Sequence, residues 1–144
     1  MEYKQPVIVQ TIVFRKNKNS SVLEFLLLKR NKTRGGFWNV VNGTLRSDES
    51  IKDCAQRELE EETGVIHCKR MSEGIYRFKF NYKGSVMTVI VHYVEVFQGQ
   101  EIVINEEHTE YRWIRFEEAK PLLKFDDDKK ALALCYDQVA EKDL

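Results

Sequence analysis

The sequence predicts an α/β fold in which a mixed sheet is covered by helices on both faces. Three observations carry this expectation. Short runs rich in aliphatic and aromatic residues recur on either side of a central helical segment. That segment has both a start and a stop signal, and the C-terminal stretch repeats its apolar residues at helical spacing. With 144 residues and no long Pro, Gly or Ser tract, the chain fits one domain over residues 1–144.

Val7 to Phe14 and Leu23 to Leu28 are apolar runs separated by the polar Lys16-Asn17-Lys18-Asn19-Ser20, which predicts a hairpin. Phe37 to Val41, preceded by Gly35-Gly36, predicts a further short strand. Ser50 reads as an N-cap with Asp53 three positions later and Gly64 as the left-handed stop, so a helix is expected from Ile51 to Thr63. Tyr76, Phe78, Phe80 and Tyr82 alternate with Arg77, Lys79 and Asn81, the period of a strand with one aromatic face, and Lys83-Gly84 turns the chain. Val86 to Val96 is apolar on nearly both faces, as a central strand is, and Tyr111 to Phe116 predicts the last strand. Ala131, Leu134, Cys135 and Val139 predict an amphipathic C-terminal helix.

Composition narrows the function classes. Hydrophobic residues at 42% and charged residues at 32% suit a soluble globular protein, and no run approaches the roughly 18 apolar residues of a membrane span. The N-terminal MEYKQPVIVQTIVF lacks the basic, apolar and small-residue order of an export signal. Cys54, Cys68 and Cys135 form no Cys-x-x-Cys pair, which argues against a disulfide framework or zinc site and for a reducing cytoplasm. Lys plus Arg balances Asp plus Glu, 23 against 23, removing the bulk attraction that draws basic proteins to nucleic acid. A small-molecule partner is expected, with neither nucleic acid nor membrane; the oligomeric state is left open.

The central helix carries the chemistry. At about 100° per residue, Ile51, Cys54, Ala55 and Leu59 form an apolar stripe, and Glu58 and Glu62 fall within it. Glu61 lies at the edge of the stripe, while Glu60 points to the opposite side. Like charges about 6 Å apart repel by roughly 3 kcal/mol at an effective dielectric of about 20. Protonation or a bound cation relieves this, and hard divalent cations prefer oxygen ligands shared with substrate phosphates. Arg57 is a plausible partner, but one guanidinium cannot neutralise three carboxylates.

The same residues carry a family resemblance. Gly43 to Val65, GTLRSDESIKDCAQRELEEETGV, resembles the complete Nudix box: Gly43, five residues, Glu49, seven residues, Arg57-Glu58-Leu59, one residue, Glu61-Glu62, one residue, Gly64 and Val65. The resemblance implies an α/β/α sandwich in which the box is a loop-helix-loop, with Mg²⁺ or Mn²⁺ held by Glu58, Glu61 and Glu62 and often by the Gly43 carbonyl. It makes Arg57 and Glu49 orienting groups joined by a salt bridge, and counts Glu61 in catalysis as well as in metal binding. Gly43 also has a reading of its own: without a Cβ, backbone can approach a ligand or ion closely. Upstream, Val41-Asn42-Gly43 stands where many members have Pro-Gly-Gly. Phe37 to Gly43 is similar to the dihydroneopterin triphosphate and dATP pyrophosphatases. Glu107-His108, Tyr111-Arg112-Trp113 and Phe116-Glu117-Glu118-Ala119 resemble both those enzymes and the diadenosine tetraphosphate hydrolases, so the branch stays open. The spacing of Glu107 to Trp113 resembles that of a loop glutamate serving as metal ligand or base, and Glu107 sits in a polar loop able to reach a rigid site.

Other features read more plainly. His67 and Cys68 are sequential, so on a strand they would face opposite sides, which argues against a His-Cys metal site, and His92 lies in an apolar strand as a core residue. His108 is a lesser candidate for touching substrate. Asp126-Asp127-Asp128 reads as helix-start acids, Trp38 and Trp113 as core or pocket wall, and the aromatic row from Tyr76 to Tyr82 as core before base-stacking surface. The expected activity is metal-dependent hydrolysis of a phosphoanhydride in a nucleoside triphosphate or a nucleoside diphosphate linked to another moiety. The alternatives are a dinucleoside tetraphosphate hydrolase and a non-catalytic nucleotide-binding module.

Overall fold

The computed structural model describes residues 6–17 and 19–141. Eight strands form one mixed sheet: β1 (Val7–Lys16), β2 (Leu23–Arg30), β3 (Trp38–Asn39), β4 (Val41–Thr44), β5 (Arg70–Met71), β6 (Tyr76–Tyr82), β7 (Ser85–Glu95) and β8 (His108–Ile114). Three α-helices accompany them: α1 (Ile51–Thr63), α2 (Phe116–Leu122) and α3 (Asp126–Glu141). Strands β1 and β7 pair in parallel; the other pairings are antiparallel.

Alternation along β1 separates two apolar layers. Ile12 and Phe14 pack with Ala131, Leu132, Cys135 and Val139 of α3, whereas Val13 packs with Leu59 of α1, and Val9 with Cys54 and Ala55. Strand β7 is buried from Val89 through Glu95, as its continuous apolar run requires. No helix among the described residues is long and apolar enough to cross a membrane.

The pairing of β1 creates the feature that matters for function. Its C-terminal half pairs with β2, Phe14 opposite Phe25, while its N-terminal half pairs with β4, from Ile8 opposite Thr44 to Thr11 opposite Val41. Strand β2 therefore diverges from β1; its far end pairs with β3, and β8 runs along its other edge from Phe25 to Arg30.

Several sequence expectations change. The strand expected over Phe37–Val41 is two strands, because Asn39 pairs with Leu28 of β2 whereas Val41 pairs with Thr11 of β1. Phe37 lies outside both and packs edge-on against Phe125, centroids 5.6 Å apart. The last strand begins earlier and ends earlier than Tyr111–Phe116: the polar His108 to Glu110 are recruited by pairing with Lys29 and Arg30, and Phe116 opens α2, stacked on Tyr136 at 4.3 Å. In α3 the buried stripe runs through Leu132; Leu134 is half-buried. The aromatic face of β6 divides, Tyr76 and Phe78 packing on the core while Phe80 and Tyr82 are exposed. The Lys83-Gly84 turn has positive φ at both residues, 50° and 82°.

Candidate active site

Helix α1 is fixed at both ends as its sequence implies. The Ser50 hydroxyl accepts the Asp53 N–H at 3.1 Å, and Gly64, at φ 76°, donates its N–H to the Glu60 carbonyl. With the ends set, helical winding decides where each carboxylate goes. Glu62 is 3% exposed and Glu58 half-buried, while Glu61 and Glu60 are exposed.

A cleft of about 470 Å³ gathers Gly43 of β4, Glu58, Glu61 and Glu62 of α1, Glu107 just before β8 and His108 at its start. Arg30, Arg34, Arg46, Asn39 and Asn42 also line it. The cleft thus occupies the region where β2 and β4 leave β1, and sequence-distant residues meet there. Glu106 and Glu110 are not part of its lining; Glu110 instead approaches Lys29 at 4.0 Å and Arg112 at 3.7 Å.

Arg57 organises the acidic wall. Its Nε and Nη2 donate to the two oxygens of Glu49 at 2.6 and 2.9 Å, a bidentate pair, and Nη2 also reaches the Thr44 carbonyl at 3.1 Å. Its Nη1 donates to Glu58 Oε2 at 2.6 Å and lies 3.6 Å from Glu61 Oε1. The Arg57 hydrogen bonds hold the Glu49 carboxyl down to about 2, and the same contacts raise the guanidinium above its ordinary value. Glu49 does not line the cleft; it acts on Glu58 through Arg57.

Glu62 is the opposite case. Burial, a hydrogen bond with Glu58 and the charges of Glu58 and Glu107 push its carboxyl up to about 9. Two carboxyl groups sharing a hydrogen bond need a proton between them, or a cation in its place. His108 Nε2 stands 3.8 Å from Glu62 Oε1, but burial lowers the imidazole, so this contact is polar rather than ionic near neutrality.

Gly43 has a spatial rather than a conformational reason. A Cβ built there would collide with Cγ, Cδ and Oε2 of Glu58, so the group that approaches this backbone is the Glu58 side chain. The Gly43 carbonyl faces α1, 4.0 Å from Cys54 Sγ. Among the described residues, no three His, Cys, Asp or Glu side chains close into a cation cage; Glu58 is drawn toward Arg57, and Glu61 stands out at the rim. The all-oxygen donor set and the proton-requiring Glu58–Glu62 contact nonetheless fit a hard divalent cation.

Residues outside the cleft keep structural roles. His92, buried, bonds Thr11 Oγ1 at 2.7 Å and is held down to about 4 by burial. Asp127 and Asp128 do more than start α3: Asp127 accepts the Tyr76 hydroxyl at 2.8 Å, and the buried Asp128 accepts Gln10 Nε2 at 3.1 Å. Sequence reasoning missed Arg30, Arg34, Arg46 and Asn39. Arg30 ends an apolar run like any solvent-facing strand terminus, and no spacing rule sets it apart.

Comparison with known proteins shows the family and the fold. The family model for the NUDIX domain matches residues 4–135. The chain is 32% identical over 128 residues to the mouse (Mus musculus) bis(5'-nucleosyl)-tetraphosphatase [asymmetrical], covering 84% of this chain and 86% of that protein. It is 25% identical to the dihydroneopterin triphosphate diphosphatase of Haemophilus influenzae, covering 92% and 88%. The structure of a Caenorhabditis elegans Ap4A hydrolase binary complex superposes with a TM-score of 0.81 at 18% identity, covering 94% of this chain and 98% of that one. A Myxococcus xanthus octanoyltransferase is 33% identical over 104 residues, 69% of this chain, which spans only 29% of that protein's length.

Proposed function

This chain belongs to the Nudix family, whose hydrolases act on phosphorus-containing anhydrides, and from that premise we propose that Glu58, Glu61 and Glu62 hold Mg²⁺ or Mn²⁺ while the chain hydrolyses a nucleoside triphosphate or a nucleoside diphosphate linked to another moiety. The observation that carries this reading is the convergence on one cleft of three glutamates from α1, Gly43 from β4 and Glu107 from a distant loop. The Gly43 carbonyl and Glu107 are further candidate ligands. When bound, a divalent cation neutralises phosphate charge and makes water a stronger nucleophile.

The chain's own residues do the rest. Arg57, anchored by Glu49, fixes the Glu58 carboxylate, and Glu62, buried on the same helix, is positioned by its hydrogen bond with Glu58. A water oxygen bonds to one phosphorus as the bridging P–O bond breaks, and the bridging oxygen leaves with the other phosphate group. The water proton passes to a cleft carboxylate, which we assign to Glu107: at 41% side-chain exposure it is reachable by water, and its partner Arg34 is 3.7 Å away. Free Cys54, Cys68 and Cys135 suit a reducing cytoplasm as the working compartment.

A screen of nucleoside triphosphates, dinucleoside polyphosphates, nucleotide sugars and dihydroneopterin triphosphate tests this reading, each with Mg²⁺ or Mn²⁺ and again with chelator. Turnover only with the cation, on substrates with at least two linked phosphates, is the expected outcome. Exclusive action on phosphate monoesters, or full activity in chelator, overturns it. The second reading, a dinucleoside tetraphosphate hydrolase, rests on the likeness to the mouse enzyme and predicts that a dinucleoside tetraphosphate is preferred. A nucleotide-binding module without catalysis predicts binding with no turnover of any substrate.

Glu107→Gln is expected to lower turnover by about 10²–10⁴-fold, the usual worth of general-base assistance, with Glu110→Gln close to the parent because Glu110 faces Lys29 and Arg112. Steady-state kinetics decide the matter: near-normal Glu107→Gln beside a crippled Glu106→Gln or Glu110→Gln moves the base to that neighbour.

A further inference from the structure

One stretch of the cleft lining is basic, and beyond the contact of Arg34 with Glu107 the hydrolytic chemistry above does not use it. Arg30 ends β2, and its backbone N–H is pinned to the Phe37 carbonyl at 2.9 Å. Its guanidinium lies 5.2 Å from the Phe37 ring centroid. Its Nε is buried and has no hydrogen-bond partner among the described residues, and no carboxylate there forms an ion pair with it within 4.0 Å. Arg34, on the turn that follows, has its guanidinium 3.7 Å from Glu107 Oε1, its one ion pair among the described residues, with both side chains about half exposed, a weak and screened pair.

The two arginines are held in register with the catalytic loop. The Asn31 N–H donates to the Glu107 carbonyl at 2.9 Å, Asn31 Nδ2 donates to the Glu106 carbonyl at 2.8 Å, and Asn31 Oδ1 accepts the Arg34 N–H at 3.1 Å. A buried guanidinium N–H without an acceptor is costly, and an anion with several oxygens removes that cost. Planar guanidinium forks match phosphate oxygens. The glutamates, by contrast, can meet phosphate only across a cation. A phosphate that is not part of the scissile pair therefore finds direct donors at Arg30 and Arg34.

We propose that Arg30 and Arg34 form a subsite for a phosphate group beyond the two joined by the scissile bond, so that this chain selects substrates with three or more linked phosphates. The proposal rests on the hydrolase reading for its place in the reaction. Arg30 is a positioning and specificity residue here, and the selection appears in KM rather than in kcat.

Two measurements test it. In the first, inorganic tripolyphosphate is titrated calorimetrically into the metal-free full chain at low ionic strength, using the parent, Arg30→Gln, Arg34→Gln and, as a charge control, Lys79→Gln on β6. Arg30→Gln is expected to weaken binding by about 10–100-fold, the usual worth of a lost charge-assisted hydrogen bond, Arg34→Gln by less, and Lys79→Gln not at all. In the second, KM and kcat are compared for a nucleoside triphosphate and a two-phosphate nucleotide sugar. Arg30→Gln should raise KM for the first, leave kcat near the parent value and spare the second. Unchanged tripolyphosphate affinity in both arginine variants overturns the subsite, as does an equal rise in KM for both substrates. If Arg30→Gln fails a thermal-melt check, the exposed Arg34→Gln decides by tripolyphosphate affinity alone, because Arg34 also pairs with the assigned base Glu107. If the parent turns over no anhydride, the hydrolase reading fails, while the titration still decides whether the arginines bind phosphate.

Discussion

Glu62→Gln is expected to cut turnover by at least about 10²–10³-fold, the scale for removing one electrostatic stabiliser from a reaction centre, and at the same time to raise the melting temperature of the metal-free protein at pH 8. The two effects share a cause. Glu62 is buried against Glu58, and its carboxyl is held up at about 9 against an ordinary 4.5. A raised carboxyl means that the folded state favours the protonated form. The stability contributed by that proton is therefore fully present below about pH 4.5 and is lost as pH rises toward about 9. The metal-free parent should weaken across this window, saturating Mg²⁺ should restore it, and Glu62→Gln, neutral throughout and able to donate to Glu58, should lose most of this pH slope. Thermal melts from pH 5 to about 9, with and without Mg²⁺, read this out directly. A flat parent profile, or a Gln variant with near-normal turnover, removes Glu62 from the proposed site.

Gly43→Ala should lower turnover by about 10²-fold, the loss typical of an ångström-scale misplacement, with a smaller destabilisation of about 1–3 kcal/mol from overpacking. The added methyl would occupy space now filled by Cγ, Cδ and Oε2 of Glu58. Strand β4 is paired to β1 through four residues, whereas the glutamate side chain can rotate, so the side chain yields. In yielding it leaves Arg57 Nη1, its partner at 2.6 Å. A double-mutant cycle isolates the effect: in a Glu58→Ala background the alanine at 43 has nothing to displace, and its further effect on melting temperature should be small. An equal penalty in both backgrounds would falsify the Glu58 route and point to the backbone of β4 itself.

The acidic wall was legible because its information is local. Cap, stop and carboxylate face in α1 depend on residues three and four apart, so Ser50, Gly64 and the inward turn of Glu58 and Glu62 could all be read from spacing. The aromatic row of β6 was legible in its period but not in its fate, since whether Phe80 or Phe78 is covered depends on how far the packed helices extend over that face.

The sequence by itself determined the helix with its ends, the glutamates it presents, the first hairpin and the central strand, because each follows from short-range periodicity and turn chemistry. Only the tertiary structure decided the division of Phe37–Val41 into β3 and β4, the start of β8 at His108, the contact between Gly43 and Glu58, and the basic lining of Arg30 and Arg34. Each of these depends on pairing between segments tens of residues apart, β1 exchanging β2 for β4 along its length and β2 taking β3 and β8 as partners. It is set by competition among strands for one hydrogen-bonding edge, and no local pattern in either segment records which partner wins.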